Sequence, residues 1–94
     1  MEMDFTRTRL TVPANVVTRE VDGTTIIVDI DTGRSFALDR IGSRAWVLLT
    51  TGGTAQAAYE ELLKEYAGEP SEIRADLDSL IEVLTAKRLL VECG

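Results

Sequence analysis

No histidine occurs in the 94-residue chain, and cysteine appears once, at Cys93. Without imidazole there is no Ser–His or Cys–His nucleophile pair, no histidine general base, and no ligand of the commonest zinc type. One cysteine excludes an internal disulfide and a cysteine metal cluster. Placed at Cys93 it reads as an incidental thiol, with no role assigned to it. Apolar runs are far shorter than a membrane span. Met1 to Leu10, MEMDFTRTRL, is too charged for a secretory signal. A cytoplasmic soluble protein is therefore expected. Basic residues are also scarce. Ten Lys/Arg stand against sixteen Asp/Glu, a formal net charge of −6. Residues 1 to 47 hold six arginines and seven acids, net −1; residues 48 to 94 hold four Lys/Arg and nine acids, net −5. A nucleic-acid binder needs a basic face to neutralise phosphates, and the helical half of this chain is its acidic half.

What is present suffices for one globular domain over residues 1 to 94, with 45% hydrophobic residues and a modest core. Residues 1 to 9 read as a flexible arm, and Leu10 to Pro13 as a short extended piece. Asn15 to Val21 reads as a first strand and Thr24 to Ile30, β-branched at all but Asp29, as a second. Asp22-Gly23 between them is a two-residue hairpin signal. Asp31-Thr32-Gly33 suits a three-residue loop with Gly33 left-handed, leading into a third strand, Arg34 to Leu38. That loop would set Ile30 opposite Arg34, Val28 opposite Phe36 and Ile26 opposite Leu38, with all five apolar residues on one core-facing side. Alternation of the ladder then turns the backbone groups of Ser35 and Ala37 outward. Asp39 caps a first helix from Arg40 to Thr51, whose apolar stripe is Ile41, Ala45, Leu48 and Leu49, with Trp46 in the core. Gly52-Gly53 stops it. Thr54 caps a second helix ending near Ala67 and Gly68, with Ala55, Ala58, Tyr59, Leu62 and Tyr66 buried. A third begins near Pro70 and buries Ile73, Leu77, Leu80, Ile81 and Leu84. Leu89 to Val91 closes the chain as an extended tail. The fold class is α+β and winged-helix-like: a three-stranded antiparallel sheet followed by three helices.

No catalytic constellation is visible, so no enzyme, metal or cofactor is expected. Glu60, Glu61 and Glu65, or Asp76 and Asp78, are more often a solvated helix surface than an acid/base pair. Gly52-Gly53-Thr54 lacks the rest of any phosphate-binding motif. The third strand is different. It is short, mildly apolar and carries no Lys, Pro or inward charge from Ser35 to Leu38 to discourage pairing. A sheet-edge strand running straight into a helix is the layout of a peptide-docking module. Either a further strand adds to it, or a helix or the N-terminal arm covers it.

The order Gly33-Arg34-Ser35-Phe36-Ala37-Leu38, Ile41-Gly42, Ala45-Trp46, Leu48-Leu49, Gly53-Thr54, Leu62 and Tyr66 resembles the PqqD family, over about residues 15 to 92. Members are also called RiPP recognition elements and bind leader peptides of ribosomally made, post-translationally modified natural products. Arg74-Ala75-Asp76-Leu77 makes the chain look most like the stand-alone leader-binding subunit of split lasso-peptide leader peptidases. The resemblance implies a leader strand added beside the third strand, over a groove made with the third helix. Register and resemblance together give the peptide-binding set Val28, Arg34, Ser35, Phe36, Ala37, Leu38, Arg74, Leu77, Asp78 and Ile81. The chain departs from the family in two places. Many relatives carry tyrosine where Ser35 or Phe36 stands, and a glycine usually stands where Arg88 precedes Leu89. The implied function is non-catalytic delivery of a lasso-peptide precursor to a separate cysteine-protease-type leader peptidase, with a lasso cyclase as a further partner. The alternatives are a PqqD-type peptide chaperone for a radical S-adenosylmethionine enzyme and a winged-helix DNA-binding regulator. Neither nucleic acid nor membrane is expected as a partner.

Overall fold

The computed structural model describes residues 4–93. Two-residue strands β1 (Leu10–Thr11) and β5 (Val91–Glu92) pair antiparallel. Strands β2 (Val16–Val21), β3 (Thr24–Asp29) and β4 (Ser35–Ala37) form an antiparallel sheet in the order β2-β3-β4. Helices α1 (Arg40–Thr50), α2 (Ala55–Glu65) and α3 (Pro70–Ala86) follow β4. The expected α+β architecture is present, with β4 as the third strand of the main sheet.

Asp22 and Gly23 both take positive φ, 52° and 80°, which lets a two-residue turn join β2 to β3 with Val21 opposite Thr24. The next loop differs from the expected one. Ile27, not Val28, faces Phe36; Ile26 faces Ala37 and Val28 faces Ser35. The register is shifted by one residue on β3. The cause is Asp29, whose carboxylate accepts from Asn15 Nδ2 and from the Asp31 N–H, both at 3.0 Å. Its own backbone closes the hairpin, with Asp29 N–H donating to Arg34 O and Gly33 N–H to Asp29 O. Ile30 is thereby drawn into the loop, its N–H donating to Asn15 O at 2.8 Å. A one-residue slip exchanges the faces of a strand. Ile27 is fully buried against the helices, while Ile30 is 60% exposed. Phe36 and Leu38 stay on the helix side with Ile27; Ile26, Val28 and Ile30 lie on the opposite face.

The helix caps follow the expected chemistry. Asp39 Oδ1 accepts from Gly42 N–H at 2.7 Å and Thr54 Oγ1 from Ala57 N–H at 3.2 Å. Pro70 opens α3. Helix α2 ends at Glu65, two residues before the expected Ala67, because Tyr66 turns extended. Trp46, Ala45 and Leu49 of α1 are buried with Ala58 and Leu62 of α2 and Leu77, Ile81 and Leu84 of α3. Leu89 and Leu90 are completely buried too, so the tail is a core element that β5 merely continues.

The N-terminal arm is a correction. Residues 1–3 lie outside the described residues, but from Asp4 the segment is fixed to the core. Phe5 is only 1% exposed. Phe5 O and Thr8 O accept the first-turn N–H groups of Gln56 and Ala55, so the arm satisfies donors that α2 leaves open. The Phe5 ring meets Tyr59 edge-on at 6.3 Å, and Arg74 stacks over it at 4.1 Å. One buried aromatic in a charged stretch has no periodicity by which to be recognised.

Candidate functional site

The main sheet has two edges, β2 and β4, and β4 is the one that leads into α1. Leu38 N–H donates to Thr25 O and Asp29 N–H to Arg34 O, both at 2.9 Å. Arg34, Phe36 and Leu38 thus spend their backbone groups on β3. Alternation leaves those of Ser35 and Ala37 pointing away from it, without a protein partner among the described residues. The slip on β3 does not alter this phase on β4, because Arg34 remains in a hydrogen-bonded pair. The strand is held in place from behind by Ser43, a buried hydroxyl that accepts from Thr25 N–H at 2.7 Å and donates to Leu38 O at 3.3 Å.

Where β4 turns into α1, a groove of about 410 Å³ opens between α1, α2 and α3. Its walls are Ile41, Gly42 and Ala45 of α1, Leu62 of α2 with Tyr66 after it, and Ile73, Leu77 and Leu80 of α3; Asp39 and Asp76 also line it. Gly42 lets the helix start close against the strand. A Cβ there would stand 3.1 Å from Asp39 Oδ1 and 3.4 Å from Leu38 Cβ. Arg44 of α1 makes a bidentate pair with Glu65 of α2 at 2.8 and 2.7 Å. That hydrogen bonding holds Glu65 below its ordinary pKa and raises Arg44 above its own. Further along β4, Lys87 Nζ lies 4.9 Å over the Phe36 ring and ties the last turn of α3 to the strand.

The structure gathers Ser35, Phe36, Ala37 and Leu38 at this edge, with Val28 beside Ser35 on the outer face and Arg34 exposed at the strand's start. Leu77 reaches the groove, whereas Ile81 is fully buried in the core. Arg74 stacks on Phe5 and Tyr59, on the side of α3 held by the N-terminal segment, and Asp78 lies one turn further along that side. The groove side instead carries Asp76 and Leu80, with Lys87 two turns on from Leu80. Asp76 stands four residues before Leu80 and Lys87 seven after it, spacings that share one helix face. Ile41, first residue of the expected apolar stripe of α1, is 54% exposed and forms a groove wall. A helical stripe looks the same whether it faces a core or an open groove.

Among the described residues no group of three or more His, Cys, Asp or Glu is placed to hold a metal, and no helix is long and apolar enough to cross a membrane. A free strand edge beside an apolar groove has the layout of a small peptide-docking domain. The chain belongs to the PqqD family: the model for coenzyme PQQ synthesis protein D (PqqD) matches residues 24–90. The solved structure of TbiB1 in complex with the TbiA(beta) leader peptide has the same fold. It superposes with a TM-score of 0.82 at 27% sequence identity, covering 89% of this chain and 98% of that one. No curated protein matches the chain.

Proposed function

We propose that this protein is a non-catalytic leader-peptide recognition element that takes up a lasso-peptide precursor by strand addition to β4. The observation that carries the reading is the outward-facing edge at Ser35 and Ala37, beside the α1–α3 groove, in a fold shared with a leader-peptide complex. Backbone bonds along β4 supply sequence-tolerant affinity, and the groove takes a side chain and supplies specificity. Val28, Arg34, Ser35, Phe36, Ala37, Leu38 and Leu77 form the docking region; Arg74, Asp78 and Ile81 support it from behind α3 and the core. The bound precursor is passed to a separate cysteine-protease-type leader peptidase and a lasso cyclase in the cytoplasm. Holding the leader raises the effective concentration of the attached core peptide at those enzymes.

The test is a cleavage assay with the precursor and peptidase encoded beside this chain. Adding the protein should accelerate leader removal, and the protein alone should cleave nothing. Equal cleavage with and without it would contradict the delivery role. The family description favours one second reading, a PqqD-type peptide chaperone for a radical S-adenosylmethionine enzyme. An iron–sulfur enzyme gene beside this one, in place of a cysteine protease and an amide-forming cyclase, would decide for it.

A further inference from the structure

The groove is electrically lopsided. Asp39 and Asp76 are the only charged groups among its ten lining residues, and neither has a cationic partner among the described residues. Some other acids are engaged, Glu65 with Arg44, Glu61 with Lys64, Asp4 with Arg7 and Asp29 with Asn15, whereas Asp78, Glu82 and Glu92, outside the groove, also lack a cationic partner among the described residues. Asp39 uses one oxygen to cap α1, and its other oxygen takes no hydrogen bond among the described residues. Asp39 sits where β4 gives way to α1, and Asp76 faces the same groove from α3. Lys87 lies further back along β4, over Phe36. A strand lying on β4 therefore runs from a positive to a negative region past an apolar slot.

Building on the leader-docking reading, we infer that this rim selects a strand with a lysine or arginine two positions from the apolar side chain that fills the groove. The basic residue stands on the Asp39–Asp76 side of that side chain, away from Lys87. Side chains two apart share one face of a strand and stand roughly 7 Å from each other, which reaches the rim of the slot. Strand addition alone tolerates a slip of two residues, because the same backbone bonds re-form. With a polarised groove, a slip takes the basic residue off the carboxylates or brings it against Lys87. Register and direction are then set by attraction at one end and repulsion at the other.

The test selects binders from a displayed library of random peptides with the full chain as bait. Four baits are compared: wild type, Asp39→Asn with Asp76→Asn, Glu82→Gln with Glu92→Gln as a control with the same net charge as that variant, and Ala37→Pro. Asparagine keeps an oxygen to cap α1. Peptides enriched on wild type and on the control should carry Lys or Arg at one fixed offset, on one side only of an apolar residue. The Asp39/Asp76 variant should keep the apolar residue and lose the basic one. In a synthetic binder, replacing that Lys by Gln should weaken wild-type binding about fivefold and leave binding to the variant unchanged. Enriched peptides without a positioned basic residue, or a preference that survives in the variant, would overturn this inference alone. Enrichment that Ala37→Pro does not diminish would overturn the β4 docking reading, and this inference with it.

Discussion

Arg88 adopts a left-handed backbone, φ 57°, directly after the C-cap Lys87 of α3. The conformation is needed so that Leu89 and Leu90 can both donate their N–H groups back to Leu84 O, at 2.9 and 3.3 Å, and drop into the core. Such a position favours glycine, since an L side chain there is strained. The departure from the family at this residue thus left the turn intact and changed only its cost. Arg88→Gly should stabilise the domain by about 1 kcal/mol and raise Tm by several degrees. A thermal melt that is unchanged or lower would contradict this account of the helix end. In the sequence Leu89 to Val91 reads only as an extended tail, because Arg88 does not carry the glycine signal of a left-handed turn.

At the scale of elements, the helices were legible because their caps and periodicity agree: Asp39, Thr54 and Pro70 each start a helix as their chemistry requires. Strand β3 was legible as a strand but not in its facing. Thr24 to Ile30 is β-branched on both faces, so alternation cannot say which one is buried, and of the Asp29 hydrogen bonds that add a residue to the loop, the one from Asp31 is local but the one from Asn15 is tertiary. The edge character of β4 was legible because its hydrogen-bonding phase depends on Arg34 alone. The groove wall was half legible. The apolar positions of α3 were found, but which side of them faces β4 depends on where Phe5 draws Arg74. The observed register makes a sharp contrast. Ile27→Ala should cost roughly 2–5 kcal/mol, as for a buried aliphatic cut to alanine, whereas Ile30→Ala should change stability by less than about 0.5 kcal/mol. Urea unfolding of both variants measures it, and the reverse order would restore the register with Ile30 toward the core.

For the molecule as a whole, charge sets the pH limits of the fold. Hydrogen bonds hold the carboxyls of Asp4, Asp29 and Glu65 below their ordinary values of 3.8 and 4.5, through Thr6, Asn15 and Arg44 in turn. A lowered folded-state pKa contributes stability that is complete above the ordinary value and is lost as pH falls through the lowered one. With no histidine in the chain, the urea midpoint should be flat from about pH 7 to 5 and fall below about pH 4.5. In Glu65→Gln that fall should be shallower; a slope already present between pH 7 and 5 would contradict the assignment. The central claim is that the free edge of β4 is where the peptide docks, and a pair of proline substitutions tests it directly. Ala37 points its N–H outward, so Ala37→Pro removes a donor from the docking edge and none from the sheet. Phe36 directs its N–H at β3 and its ring at the helices, so Phe36→Pro should unfold or severely destabilise the domain. Circular dichroism reports the fold, and fluorescence polarisation with a labelled leader peptide reports binding. The account predicts that Ala37→Pro stays folded and loses leader binding. A folded Ala37→Pro that binds the leader as tightly as wild type would contradict it.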